Sequence, residues 1–296
     1  MLVVKSQEYP LSPIFIGTCS WKYESWKGII YSENAHKNYL REYAEQYNTV
    51  EIDQWFWSLF PPDKIALPKI QTVREYVESV PEDFLFTVKV PNSITLTHFY
   101  RKKKSDPLTA NPHFLSVELF RQFLDALEPM HSRLGPLIFQ FEYLNKQKMS
   151  GKQEFLDRLF EFFAACPNNF SYSIETRNPN YLDKNYVETL QQNNLAQVFL
   201  HGYYMPSIFE IFDKVGHLIK DLTIVRLHGP DRQGIEKQTG KNWRQIVAPK
   251  DDELFSLAQI IKKLNEREVT VYVNVNNHYE GSAPLTISRL YEQLQM

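Results

Sequence analysis

Eight short segments rich in β-branched and aromatic residues recur along the chain, and most are followed by a stretch with helical periodicity. They fall at 14–21, 49–55, 84–91, 136–143, 172–178, 195–202, 222–229 and from 269 onward. Between them, residues 37–47, 117–129, 152–166 and 252–266 repeat their apolar positions at intervals of three and four. After the eighth segment, Ser282 is placed to cap a helix with Pro284 in its first turn. Eight strand-then-helix units in 296 residues predict an α/β fold, a single (β/α)8 TIM-type barrel domain over residues 1–296. An open doubly wound sheet would bury both faces of its central strands in near-continuous apolar runs. Here the two faces differ.

That difference carries the functional information. From 269, Val269, Val271, Val273 and Val275 alternate with Thr270, Tyr272, Asn274 and Asn276, so one strand face is all valine and the other ends in amides. Amides buried without partners cost free energy, so other polar groups must meet them. The same parity elsewhere assigns an inward face carrying Glu51, Asp53, Lys89, Gln140, Glu142, Glu175, Arg177, His201, Arg226, His228, Asn274 and Asn276. On the sixth segment it groups Gln197, Phe199 and His201 inward. Most of these residues lie toward the C-terminal ends of their strands, where barrels of this kind place their sites.

Bulk properties narrow the partners. A net charge of −2 gives no global attraction to nucleic acid or an anionic membrane. Cys19 and Cys166 form no disulfide framework or thiolate metal pattern, and no HExxH, HxH or EF-hand spacing occurs. No cofactor and no metal site is therefore expected. The first residues lack a signal-peptide core and no run of about 18 apolar residues appears, so a cytoplasmic protein is expected. Two long loops, 92–112 with Arg101-Lys102-Lys103-Lys104 and 229–249 with "TGK", carry bases without a nucleotide motif. Aromatic residues cluster after several strands, which suits loop packing and stacking on a sugar or base ring.

The blocks "IGTCSWKYESWKGIIYS", "NTVEID", "PEDFLFTVKVP", "RLGPLIFQF", "IETRNPNYL", "VRLHG" and "NVNNHYEGSAPLTISRL" occur in that order. Together they resemble the YecE-like family, domain-of-unknown-function family 72, over nearly the whole chain. The resemblance implies a TIM-type barrel. It places the family's polar motif residues on Glu51, Lys89, Glu175, Arg177, Arg226, His228, Asn276 and Asn277. The sequence departs from the commoner pattern with "FEYLNKQ" after strand four and "DQWFW" after strand two.

The leading functional expectation is an enzyme using acid–base chemistry on a small anionic or sugar-like molecule, by hydrolysis or isomerisation. Glu175 would serve as base or nucleophile and His228 as acid, with Glu51 beside them. Lys89, Gln140, Arg177 and Arg226 would bind the substrate, and Asn276 and Asn277 would orient it. Glu175 is expected to be kept at some cost to the fold, so that Glu175→Gln would change stability by no more than about 1 kcal/mol. The alternatives are a metal-dependent nucleic-acid phosphodiesterase similar to endonuclease IV-type barrels, and a ligand-binding barrel without catalysis.

Overall fold

The computed structural model describes residues 13–34, 38–101, 103 and 105–296. The N-terminal segment read above for a targeting signal lies outside them, as do Lys37, Lys102 and Lys104. The eight segments form strands β1 Ile14–Thr18, β2 Thr49–Ile52, β3 Leu85–Lys89, β4 Leu134–Gln140, β5 Tyr172–Glu175, β6 Leu195–Gly202, β7 Leu222–Gly229 and β8 Thr270–Val275. They pair in parallel in the order β1-β8-β7-β6-β5-β4-β3-β2, the (β/α)8 arrangement. Each is followed by a helix: α1 Tyr39–Ala44, α2 Ile70–Val77, α3 Val117–Ala126, α4 Lys152–Ala164, α5 Lys184–Gln192, α6 Ile208–Val215, α7 Asp251–Asn265 and α8 Ala283–Leu294.

Local chemistry sets several helix boundaries. Ser116 and Asp183 cap α3 and α5 by accepting from Leu119 N at 3.2 Å and Tyr186 N at 2.9 Å. Helix α7 opens on Asp251, Asp252 and Glu253 and closes on Lys262 and Lys263, which complements its dipole. Ser282 does precede α8, but its hydroxyl makes no cap bond; Asn277 Oδ1 accepts from Ala283 N at 2.9 Å instead. A side chain from the strand exit thus does the work expected of the adjacent serine.

The outward strand faces and the inner helix faces form one large apolar cluster. A second, smaller cluster of Ile138, Val198, Ile224 and Tyr272, with Phe15, Leu85 and Leu222, fills the barrel interior toward the N-terminal ends of the strands. Tyr272 stacks on Phe15 there at 4.6 Å. This apolar plug is the floor on which the polar residues stand.

Strand β6 departs from the expected parity. In parallel register Leu200 sits beside Arg226 and Val198 beside Ile224, so Ala196, Val198 and Leu200 point inward. Gln197, Phe199 and His201 face the helices: Phe199 packs on Phe212 at 4.2 Å, and His201 Nε2 meets Glu253 Oε2 of α7 at 2.8 Å. His201 faces outward although polar because α7 supplies it with a charged partner there.

Closure between β1 and β2 uses a side chain. A Cβ at Gly17 would lie 2.1 Å from Thr49 O, so only glycine permits the two strands to approach. The Tyr43 hydroxyl of α1 donates to Thr49 O at 3.0 Å and accepts from Thr18 N at 2.8 Å, bridging the seam in place of a ladder. Removing it leaves buried backbone groups unpaired, which costs about 1–3 kcal/mol. Tyr43→Phe should therefore lower the urea unfolding free energy by about 2 kcal/mol, with the far-ultraviolet circular dichroism unchanged. A loss below about 0.5 kcal/mol would show that the seam does not need the hydroxyl.

Candidate active site

Above the apolar floor, one guanidinium organises the chamber. Arg226 on β7 is 1% exposed. Its Nε and Nη2 donate to Glu51 Oε2 and Oε1 of β2 at 2.8 and 2.6 Å, a bidentate pair. Its Nη1 donates to Glu175 Oε2 of β5 at 2.5 Å and to Gln140 Oε1 of β4 at 3.2 Å. Arg177 closes the ring from just beyond β5, donating from Nε to Glu175 Oε1 at 2.7 Å and from Nη2 to the same Gln140 oxygen at 3.2 Å. Asn274 on β8 donates to Glu51 Oε2 at 2.9 Å and to Thr87 Oγ1 of β3 at 3.2 Å.

Glu51, Gln140, Glu175, Arg177 and Arg226 are thus brought together, yet the arrangement changes what each can do. The Arg226 guanidinium is committed to two carboxylates, so it holds the chamber's shape and is not an open clamp for a ligand. Burial alone would raise the Glu175 carboxyl, but Arg177 and Arg226 outweigh it and bring it down to about 2. A carboxylate held that low is a poor proton acceptor near neutrality.

His228, at the C-terminal end of β7, is buried, and burial followed by the nearby Arg226 pushes its pKa well below the usual imidazole value. This favours its neutral form at pH 7, which weighs against the imidazolium donor expected of it. Its Nδ1 lies 3.1 Å from the Tyr203 hydroxyl and its Nε2 3.7 Å from Cys19 Sγ. Burial, reinforced by Glu51, raises the Cys19 thiol, so this is a neutral imidazole beside a neutral thiol.

Two inward groups stand apart from the ring. Lys89, the last residue of β3, is 8% exposed and lies 3.9 Å over the Phe56 ring, with no ion pair among the described residues. Burial and then Arg226 lower its pKa to about 8, against the pull of Glu51 and Glu175. Asp53, just past β2, is raised by burial and then by Glu51 to about 6. Parity had placed Asp53 inward without giving it a role. Its distinction comes from its surroundings, which the local sequence does not state.

The remaining candidates lie at the rim. Asn276 Oδ1 accepts from His278 N at 3.0 Å, and His278 Nε2 in turn meets Glu236 Oε1 at 3.0 Å. Asn277 is occupied at the α8 start. Glu142 pairs with Lys148 at 2.6 Å. The loop 92–112 is anchored: Asn92 Oδ1 accepts from Ser58 N and Leu59 N, and Asn111 Nδ2 donates to Ser93 O and Leu96 O. Within its basic run, Arg101 and Lys103 turn back onto Asp106. The loop 229–249 contains a helix, Arg232–Thr239, capped by Asp231 and ended by Gly240 at φ +60°. Among the described residues no three His, Cys, Asp or Glu side chains are grouped to hold a metal ion. No helix among them is long and apolar enough to cross a membrane.

A family model described as "Protein of unknown function DUF72" matches residues 15–296. The chain belongs to the DUF72 family. The UPF0759 protein YecE of Escherichia coli O157:H7 is 27% identical over 192 residues, and that of strain K12 is 26% identical over 184. These matches take in 63% and 62% of this DUF72 chain, and 58% and 56% of the relatives' own length. A DUF72 family protein of Enterococcus faecalis V583 aligns over 96% of both chains with a TM-score of 0.66 at 20% identity. One from Thermotoga maritima MSB8 aligns over 96% of this chain and 99% of its own with a TM-score of 0.65 at 21% identity. The shared barrel agrees with the strand count read from the sequence.

The geometry reverses the stability expectation for Glu175. Glutamine there leaves Arg177 without its carboxylate and Arg226 with Glu51 alone, and breaking a buried pair in this way costs about 3–5 kcal/mol. Urea unfolding of Glu175→Gln at pH 7 should show a loss of at least about 3 kcal/mol. A change within about 1 kcal/mol would mean that the ring is not what holds the barrel mouth.

Proposed function

We propose that the chain is an enzyme applying acid–base chemistry to a small anionic, sugar-like molecule, with Asp53 and Lys89 as the groups that exchange protons. The observation that carries this reading is the division of charge in the chamber. Glu51, Glu175 and Arg226 satisfy one another, while Lys89 is buried without an ion pair among the described residues and Asp53 is held toward its neutral form. Groups pushed toward neutrality in opposite senses, an acid up to about 6 and an amine down to about 8, mark acid and base assignments in a shared site. Arg177, whose guanidinium lies 4.8 Å over the Tyr203 ring and is partly open, joins Lys89 in attracting the anion. His228 contributes a neutral nitrogen as acceptor or donor.

Two further features suit a polyhydroxylated ligand. Trp57, Tyr100, Tyr143 and Tyr204 come from the loops after β2, β3, β4 and β6 and remain exposed, giving apolar faces for a sugar ring. Asn274 Oδ1 is a buried acceptor without a partner among the described residues, which favours the arrival of an outside donor. The metal-dependent phosphodiesterase alternative gains no support from carboxylates already turned onto arginines.

Glycerol 3-phosphate tests the reading, because it carries the anion and the hydroxyls. With a dissociation constant of about 1 mM, a 10 mM solution would add about 1.4 kcal/mol, or about 2–4 °C in melting temperature. The shift should be largest between about pH 6 and about 8, where the phosphate is largely dianionic and Lys89 still charged, and it should weaken as pH rises through about 8. Lys89→Met should remove most of it. No shift at any pH from 5.5 to about 9 would overturn the anionic-ligand reading.

A further inference from the structure

The chamber leaves Lys89 in an unusual position for a buried lysine. Glu51 and Glu175 both lie near enough to act on its charge, yet every oxygen of the two carboxylates already accepts from Arg226, Arg177 or Asn274. What faces the amine is the Phe56 ring, held by Phe56 N donating to Asp53 O at 3.1 Å and by Asn92 N donating to Phe56 O at 2.7 Å. An aromatic face attracts an ammonium but offers no lone pair to fix it. Among the described residues no hydrogen-bond or ion-pair partner faces the nitrogen. A desolvated amine of this kind, set beside another cationic group, is the form in which lysine attacks carbonyl carbon.

We propose that Lys89 forms a Schiff base with the carbonyl carbon of a small phosphorylated aldehyde or ketone. The proposal rests on the acid–base reading above and narrows its substrate class. The neutral Nζ lone pair forms the carbon–nitrogen bond while the carbonyl π pair moves to oxygen. One proton passes from nitrogen to that oxygen, giving a neutral carbinolamine. The Asp53 carboxyl then gives a second proton to the hydroxyl, which leaves as water with the carbon–oxygen bonding pair. The remaining nitrogen lone pair closes the iminium. Nothing is oxidised or reduced, and hydrolysis by the reverse path returns the amine. Asp53 is suited to the donor's part because burial and Glu51 keep it protonated up to about pH 6. Arg226 and Arg177 stabilise the two carboxylates against an approaching phosphate, and Arg177 lies at the open side of the ring.

Reductive trapping decides the matter on the unaltered protein. The chain is incubated with dihydroxyacetone phosphate and sodium cyanoborohydride at pH 7, and adducts are located by intact mass and peptide mapping. With a pKa of about 8, Lys89 has a neutral fraction at pH 7 roughly 200-fold above that of an ordinary lysine. We expect one reduced adduct per chain, on Lys89, forming at least about tenfold faster than on the exposed Lys146. Inorganic phosphate should slow labelling at Lys89 and leave Lys146 unaffected. Lys89→Arg, which keeps the positive charge, should lose the fast adduct while retaining the glycerol 3-phosphate shift. Labelling of Lys89 no faster than Lys146, or adducts spread over the surface, would overturn the proposal. If the glycerol 3-phosphate shift survives that result, the acid–base reading stands without a covalent step. If both fail, the anionic substrate class falls with it.

Discussion

Arg226 donates to Glu51 and Glu175 inside the barrel, and the rest of the mouth depends on those three charges being buried together. Removing an ion from water is expensive, and the return comes only when geometry and further hydrogen bonds are good. Here the guanidinium is bidentate to one carboxylate and bonded to the other, and Gln140, Arg177 and Asn274 occupy remaining donor and acceptor positions. Through these contacts one side chain on β7 links β2, β4 and β5, and Asn274 extends the link to β8. The strands' inner faces are locked at one end by charge and at the other by the apolar plug around Tyr272.

A ring so fully committed leaves Lys89 and Asp53 as the groups we propose for acid–base work. Lys89 and Asp53 share the same desolvated space but were left outside the pairing, and both sit in environments that penalise their charged forms. The linkage has a definite sign in each case. Lys89 has a folded pKa below its unfolded one, so stability rises with pH between about 8 and about 10.4. Asp53 has a folded pKa above its unfolded one, so stability falls as pH rises from about 4 to about 6. Near neutrality both groups weaken the fold. Their retention inside a barrel whose other charges are well matched supports the acid–base role proposed for them.

Much of this was legible in residue order. The alternation in β7 and β8 put Arg226, His228 and Asn274 on one face, and β2, β4 and β5 delivered Glu51, Gln140 and Glu175 to the same space. Parity states a side, however, and not a partner. It could not show that Arg226 would spend its donors on Glu51 and Glu175, since that depends on the stagger with which the barrel closes. It also failed on β6, where both faces carry apolar residues and His201 found Glu253 on α7. The properties of Asp53 and Lys89 were the least visible, because they arise from which neighbours are already paired. Phe56, which lies under the Lys89 amine, falls within the "DQWFW" segment where the sequence departs from its family's commoner turn.

The buried ring leaves Lys89 as an amine whose pKa is lowered to about 8. Nuclear magnetic resonance of the protein carrying 13C at the lysine ε-carbons, followed from pH 6 to about 11, reads this directly. One signal should titrate with a midpoint near 8 while the exposed lysines titrate near 10.4, and Lys89→Met should delete that signal alone. If the signal lost in Lys89→Met instead titrates above about 10, Lys89 is an ordinary charged lysine and the account of the chamber is wrong.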